Sequence, residues 1–254
     1  MLFFTLIYYS KYMIKKNNFN FIRSLISKFS SFLKYFLSSF KLFIYLIVFI
    51  GFNEVKAGAY EDFFRAIELD QPQVVHNLLK RGFDPNTPDP QGQPALIVAI
   101  RKPSPKAAEV LIRWPKTRLN AQNPHDETPL MMAAFDNQLG LAKLLIEKGA
   151  DVNKTGWTPL HYAATKGHVE MMKLLLEMHA YIDAESPNGT TPLMMAAHYG
   201  TALATKLLLD EGADPTPKNE KGLSALDFAL NGPEKNSVEL VEEGLRRWFA
   251  KHKP

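Results

Sequence analysis

The seven-residue sequence TPLMMAA occurs twice in this chain, at residues 128–134 and at residues 191–197. Shorter versions occur three more times, each with proline or alanine followed by leucine at its centre. The central residues lie 34, 30, 33 and 33 positions apart, in the order Ala95, Pro129, Pro159, Pro192 and Ala225. A nearly constant period indicates stacked copies of one unit, because a single short unit cannot bury its own apolar face.

Within each copy the sequence predicts two short helices. Threonine or serine caps the first helix, and proline stands in its first turn, where a missing N–H costs nothing. Leucines at residues 174–176 and 207–209 mark the buried face of the second helix. A glycine then ends that helix in a left-handed turn, and His179 takes this position in one copy.

Residues 156–188 and 189–221 each resemble a complete 33-residue ankyrin repeat. The resemblance covers about residues 60–250, because the motif exemplified by GADVN (149–153) recurs in step with the Thr-Pro-Leu motif. It implies an all-α solenoid of about six helix-turn-helix units, joined by finger-like turns. The units are placed at about residues 60–90, 91–124, 125–155, 156–188, 189–221 and 222–254, and are numbered one to six below.

The two end units differ from the inner ones, as the ends of a stack should. Unit one has no Thr-Pro-Leu motif and opens with Phe63, Phe64 and Ile67. Unit six continues into a long helix, predicted at roughly residues 234–250. The apolar stripe of this helix consists of Val238, Val241, Leu245 and Trp248. We therefore expect the helix to cap the C-terminal end of the stack.

Residues 1–59 form a leader whose charge differs from that of the remaining chain, residues 60–254. The leader has eight basic residues and one acidic residue, a net charge of +7. Because the whole chain carries +4, residues 60–254 carry −3. That balance gives the predicted ankyrin repeat domain no general attraction for nucleic acid.

The leader predicts export. Its eleven-residue apolar run at 42–52 suits the core of a secretory signal, and the small residues Ala57, Gly58 and Ala59 follow as a cleavage site. Cleavage there would release residues 60–254 as a monomeric periplasmic or secreted protein, similar to small exported bacterial ankyrin repeat proteins. The leader is longer than the usual 15–30 residues, so two alternatives stay open: an uncleaved membrane anchor at residues 35–52, and a soluble cytosolic chain.

The sequence predicts no catalytic residue, no cofactor and no metal site. Cysteine is absent, which excludes disulfides and thiol chemistry. His161 completes a Thr-Pro-Leu-His motif and is expected to be structural, while Asp227 lies on a helix with no evident partner. Lys154 and Thr155 lack the preceding glycine of a phosphate loop. The chain is therefore interpreted as a non-catalytic protein–protein interaction module; the alternatives are an accessory or inhibitory subunit of an enzyme and, third, an enzyme.

The resemblance also implies where a protein partner would bind. Ankyrin repeat proteins usually bind through the finger-like turns and the exposed residues of each first helix. Mapped onto this chain, the candidate residues are Arg101, Lys102, Phe135, Asp136, Trp157, Thr165, Lys166, His198 and Tyr199. Aromatic side chains among charged ones are typical of binding surfaces, although scattered surface residues give the same pattern.

One finger is predicted to be short. Only two residues separate Asn153 from Gly156, whereas five stand at this place in the other units. We expect the shortened turn to leave a notch in the row of fingers, with Trp157 beside it. In the alternative, Trp157 packs against its neighbours and the deletion has no functional meaning.

Overall fold

The computed structural model describes residues 58–102 and 104–252 of the chain. Within these ranges it contains twelve α-helices and no β-strand, only two isolated β-bridges, so the all-α prediction is confirmed. The helices, numbered in chain order, are α1 (58–68), α2 (Pro72–Lys80), α3 (Ala95–Arg101), α4 (Pro105–Arg113), α5 (Pro129–Phe135), α6 (Leu139–Glu147), α7 (Pro159–Lys166), α8 (Val169–Glu177), α9 (Pro192–Tyr199), α10 (Ala202–Asp210), α11 (Ala225–Asn231) and α12 (Lys235–Lys251).

The helices from α2 onward stack in two layers. The first helices of successive units, α3, α5, α7, α9 and α11, contact one another in sequence order. The second helices, α2, α4, α6, α8, α10 and α12, do the same in the other layer. The core between the layers is filled by side chains such as Leu130, Leu145, Leu160 and Leu175, all fully buried. Each unit therefore buries its apolar face against its neighbours, as a repeat architecture requires.

Side-chain caps start α5, α9 and α11, as the sequence predicted, whereas α3 begins after Pro94 without one. The hydroxyl of Thr128 accepts a hydrogen bond from the Met131 N–H (3.3 Å), and Thr191 accepts one from the Met194 N–H in the same way (3.4 Å). In return, the sulfur of Met131 accepts from the Thr128 N–H at 3.3 Å. Methionine sulfur thus replaces the carboxylate or amide oxygen of an ordinary capping box.

Asp227 has a partner that the sequence analysis did not find. Its Oδ2 atom accepts hydrogen bonds from the Ser224 backbone N–H (2.8 Å) and from the Ser224 hydroxyl (2.6 Å). Both bonds hold the pKa of the Asp227 carboxyl below its usual range. The earlier interpretation of Asp227 as unpartnered is wrong, because the two residues form the capping box of α11.

The turns after α2, α6, α8 and α10 are left-handed, as predicted, whereas α4 ends at Trp114 in an extended conformation. Gly149 follows α6 with φ +94°, and His179 takes the equivalent position after α8 with φ +64°. A histidine adopts this backbone region more readily than a β-branched residue would, so the unit keeps its geometry without the glycine.

Helix α12 lies against α10 and α11 at the C-terminal end of the stack. Val241 and Gly244 are buried on this helix. A Cβ atom at Gly244 would lie only 2.7 Å from Leu209 Cδ2. The absence of a side chain at Gly244 therefore permits the close approach of the two helices. The remaining members of the predicted stripe, Val238, Leu245 and Trp248, are only partly buried.

The leader predictions concern residues that lie mostly outside the described ranges. The proposed anchor at 35–52 and Ala57 are outside them, whereas Gly58 and Ala59 belong to α1. No helix of the described residues combines the length and the apolar character needed to cross a membrane. Signal, anchor and cleavage site stay predictions.

Candidate protein-binding surface

A row of side chains joins the bases of the fingers. At the base of the finger between units three and four, the Asn153 Oδ1 accepts from the Tyr181 N–H, and its Nδ2 donates to the His179 carbonyl, both at 2.8 Å. Equivalent bonds to the following unit, between 2.8 and 3.0 Å long, are accepted by Asn86, Asn120 and Asp183. Asn86, Asn153 and Asp183 each end a GADVN-like motif, and Asn120 takes the same place in unit two, so a side chain at this place positions the next unit.

The tips of four fingers share one closed turn. In the finger at 186–190, the Ser186 N–H donates to the Thr190 carbonyl (3.0 Å), and the Gly189 N–H donates to the Ser186 carbonyl (2.8 Å). The same pair of bonds closes residues 89–93, 123–127 and 219–223. Among the described residues, no such pair joins residues 153–157. The finger between units three and four therefore keeps its base and lacks the closed tip.

The neighbouring finger approaches the shortened turn closely. A Cβ atom at Gly156 would lie 3.5 Å from two ring carbons of Pro187 in the next finger. The corresponding contact two units earlier, between Gly92 and Pro124, is similar at 3.2 Å. The stacking of fingers is thus maintained, and the shortening changes only the outline of the row. We call the place of the missing tip, residues 153–157, the notch.

Trp157 stands at the notch, immediately before the residue that caps α7. Its side chain is partly buried, and its ring meets the His161 ring edge-on with centroids 5.1 Å apart. The indole therefore packs against His161 on one side and is accessible on another. Both predicted alternatives, an accessible Trp157 and a packed Trp157, are thus partly met.

His161 is a structural residue, as its place in the motif predicted. It is fully buried; its Nδ1 accepts from the Thr158 N–H (3.2 Å), and its Nε2 lies 2.9 Å from the Thr190 carbonyl of the next unit. Burial lowers the pKa of His161 to about 4, and the bond to Thr190 opposes that shift only in part. The ring is therefore neutral near pH 7 and joins units four and five.

Four side chains form a continuous strip across units three and four. The Lys166 Nζ lies 4.5 Å from the centroid of the Phe135 ring, and Phe135 meets Tyr162 edge-on with centroids 6.0 Å apart. The Tyr162 hydroxyl donates to Glu127 Oε1 at 3.0 Å. Partial burial, together with the Glu127 charge, raises the pKa of Tyr162 above its usual value. We call Lys166, Phe135, Tyr162 and Glu127 the aromatic strip.

Four of the remaining candidate residues are exposed, and the other two are partly buried. Arg101, Lys102, Asp136 and Tyr199 are exposed, and Lys102 lies 3.5 Å from Glu68 in a surface ion pair.

Two candidates expected to be exposed are partly buried and bonded internally. The Thr165 hydroxyl donates to the His161 carbonyl (2.7 Å), and the His198 Nδ1 lies 3.0 Å from the Phe228 carbonyl. Both side chains are thus held by the repeat framework, since their polar groups bond to backbone within their own unit or the next one.

Models of known protein families match most of the described chain. A model for three ankyrin repeats matches residues 63–155 and 105–186, and a model for one ankyrin repeat matches residues 188–220. This chain belongs to the ankyrin repeat family. Ankyrin repeats are protein-interaction modules, so a protein partner is the expected ligand of the surface described above.

Individual curated proteins resemble parts of the chain. The nuclear factor NF-kappa-B p105 subunit of Gallus gallus is 34% identical over 161 residues, which cover 61% of this chain and 16% of that protein. Glycerophosphocholine phosphodiesterase GDE1 of Candida albicans is 26% identical over 207 residues, 78% of this chain and 17% of that protein. The chain thus spans about a sixth of these curated relatives.

A solved structure of an ankyrin repeat domain from Acinetobacter baumannii is also similar. Its TM-score is 0.63 at 26% sequence identity, and the match covers 72% of this chain and 96% of that domain. The ankyrin repeat solenoid predicted from the sequence is therefore confirmed.

The ankyrin repeat framework shows which surface residues the sequence analysis missed. Tyr162 and Glu127 belong to the aromatic strip, yet neither was among the candidates. Tyr162 is the fourth residue after a capping threonine, where Met132 and Met195 stand in other units. A polar aromatic residue at a place filled by apolar residues in the other units, Val98, Met132, Met195 and Phe228, was the available signal. No comparable signal marked Glu127.

Proposed function

We propose that this ankyrin repeat protein is an exported, non-catalytic binding protein that holds a protein partner on the aromatic strip and beside the notch. The observation that carries the proposal is the arrangement of Trp157 at an incomplete finger, on the same unit as Tyr162 and Lys166 of the aromatic strip. Partly buried aromatic side chains at the centre of a surface are the usual hot spots of protein interfaces.

The candidate residues fit this proposal in different roles. Phe135 and Trp157 are aromatic anchors, whereas Arg101, Lys102 and Asp136 lie exposed and would form a charged rim. Rim charges affect the rate of association and the choice of partner more than the affinity. Thr165 and His198 would act by supporting the surface, since their polar groups are already bonded.

The hot-spot role of Trp157 has a direct test. Replacing Trp157 with alanine should weaken binding of the partner by about 2 kcal/mol or more, roughly 30-fold, while the melting temperature changes little. The partner is first captured by crosslinking in the compartment that contains the protein, and its affinity is then measured by calorimetry. Trp114→Ala is the matched control, because Trp114 packs edge-on against His76 in units one and two (5.6 Å).

Two results would contradict the proposed role of Trp157. In the first, Trp157→Ala lowers the melting temperature and leaves the affinity of the folded fraction unchanged; Trp157 is then only a packing residue. In the second, both tryptophan variants bind as well as the wild type. Recovery of one enzyme in equal amounts with the protein would instead support the role of accessory or inhibitory subunit.

Export has an independent test. The apolar run at 42–52 and the small residues at 57–59 support cleavage. Mass spectrometry of the protein from its native host should find a mature chain that begins at Tyr60, free in the periplasm or medium. A full-length chain recovered from the membrane fraction would contradict cleavage and support the anchor at 35–52.

A further inference from the structure

Glu127 is a partly buried carboxylate whose charge has no cationic partner among the described residues. Oε1 accepts from the Tyr162 hydroxyl at 3.0 Å, and Oε2 accepts from the Asn123 side-chain amide at 2.7 Å. None of the ion pairs of the described residues includes Glu127. Neutral donors hold the carboxylate in one position and leave its negative charge uncompensated, a combination that favours a cationic ligand.

One aromatic side chain, Tyr162, contacts this carboxylate, and a second, Trp157, stands at the start of the same helix. Glu127 immediately precedes the cap of α5, and Trp157 immediately precedes the cap of α7, so the two occupy equivalent places in adjacent units. Tyr162 is the fourth residue of α7, and residues at these two positions around a helix start lie on the same side. A cation at Glu127 would therefore also lie near an indole and a phenol, the rings that attract cations best.

The notch makes this place reachable. In the units with a complete finger, a closed turn of five residues stands directly before the capping residue, as at 123–127 and 186–190. Among the described residues, that closed turn is missing at 153–157, so the chain directly before the cap of α7 lacks the finger tip that the other units have. A long side chain can enter there, and lysine and arginine have the necessary reach.

The aromatic strip carries the opposite charge at its other end. The Lys166 ammonium lies over the Phe135 ring at 4.5 Å and has no ion pair among the described residues. Glu127 and Lys166 are thus separated by the rings of Phe135 and Tyr162. A strip with unlike charges at its two ends can orient an extended segment, because the reversed segment would place like charges together.

The charge of the surrounding units agrees with a basic ligand. Residues 125–254 contain 18 acidic and 13 basic residues, a net charge of −5, whereas residues 60–124 contain seven acidic and nine basic residues, a net charge of +2. The units that contain the notch therefore attract a positively charged segment over distances comparable to the Debye length.

We propose that the notch binds an arginine or lysine side chain of an extended segment of the partner protein, with the cation held by Glu127 beside Trp157. An acidic residue of the same segment faces Lys166, which fixes the direction of the segment. This inference rests on the proposed function, because it names the chemistry of the partner at the same surface.

Peptides provide the test while the partner is unidentified. A random dodecapeptide library displayed on phage is panned against the wild-type protein, and the tightest binders are synthesised with each arginine replaced by citrulline, a neutral isostere. We expect one position to be strongly enriched in arginine or lysine. Citrulline at that position should weaken binding to the wild type about tenfold, which is a typical effect of removing one well-placed charge pair.

Variants of the protein assign that effect to Glu127. On Glu127→Gln, which keeps the size of the side chain and one acceptor oxygen, citrulline should cause no loss of affinity. The matched control is Glu220→Gln, an exposed carboxylate on the last finger, where the tenfold loss should persist. Equal losses on the wild type and on Glu127→Gln, or no loss on the wild type, would overturn the inference.

The same peptides separate this inference from the proposed function. Peptides that bind the wild type, lose affinity on Trp157→Ala and show no requirement for a cation overturn the inference alone. Peptides that are insensitive to Trp157→Ala and to Glu127→Gln overturn both. Melting temperatures of all variants show that each comparison is made between folded proteins.

Discussion

Replacing Leu208 with alanine is expected to lower the free energy of unfolding by about 2–5 kcal/mol. Leu208 lies in α10 and is fully buried, and α10 contacts α8, α9 and α12. Alanine would leave a cavity in a stack whose units each depend on their neighbours. In a repeat protein the loss is therefore transmitted to the adjacent interfaces.

The same helix supplies a matched control. Leu203 is 68% exposed, so Leu203→Ala removes the same atoms from a position that contributes little packing, and we expect a change within about 0.5 kcal/mol. Urea denaturation followed by circular dichroism measures both variants. Equal effects of the two substitutions would show that the layer of second helices does not provide the core of the stack.

The second large effect depends on pH and concerns His161. Burial lowers the pKa of His161 to about 4 from the usual 6.5. Between those values the unfolded chain takes up a proton at this residue and the folded protein does not. The stability contributed by the neutral ring is therefore complete above pH 6.5 and is lost as the pH falls to about 4. The shift corresponds to about 3 kcal/mol.

The chain offers its own replacement for this histidine. Met131 and Met194 occupy the equivalent position in units three and five, and the sulfur of each accepts a hydrogen bond from its capping threonine. His161→Met should therefore retain the cap of α7 and lose the titrating group.

The comparison is made between pH 4 and pH 7.5. The free energy of unfolding is measured in urea for the wild type and for His161→Met at each pH, so that the titration of all other groups cancels in the difference. We expect that difference to change by about 3 kcal/mol in favour of the variant as the pH falls. A constant difference would contradict the lowered pKa, whatever the stability of the variant at pH 7.5.

The sequence by itself determined the repeat period, the starts of the first helices and the left-handed turns. These features depend on groups close together in the chain, such as the Thr128 hydroxyl and the Met131 N–H three residues later. His179 shows the same locality, because its backbone conformation follows from its place at the end of α8. The shortened finger could likewise be predicted by counting residues, because only two stand between Asn153 and Gly156 and a closed turn needs more.

Only the tertiary structure decided which surface residues are available and which are joined. Glu127 and Tyr162 are 35 residues apart, and their hydrogen bond exists because units three and four stack in one register. His198 is bonded to the Phe228 carbonyl, which the stacking of units five and six places beside it. The contact of Gly244 with Leu209 likewise depends on how α12 lies on α10. Periodicity predicts that units stack, but the exposure and partners of each side chain are set by the packed neighbours, which one unit's sequence does not contain.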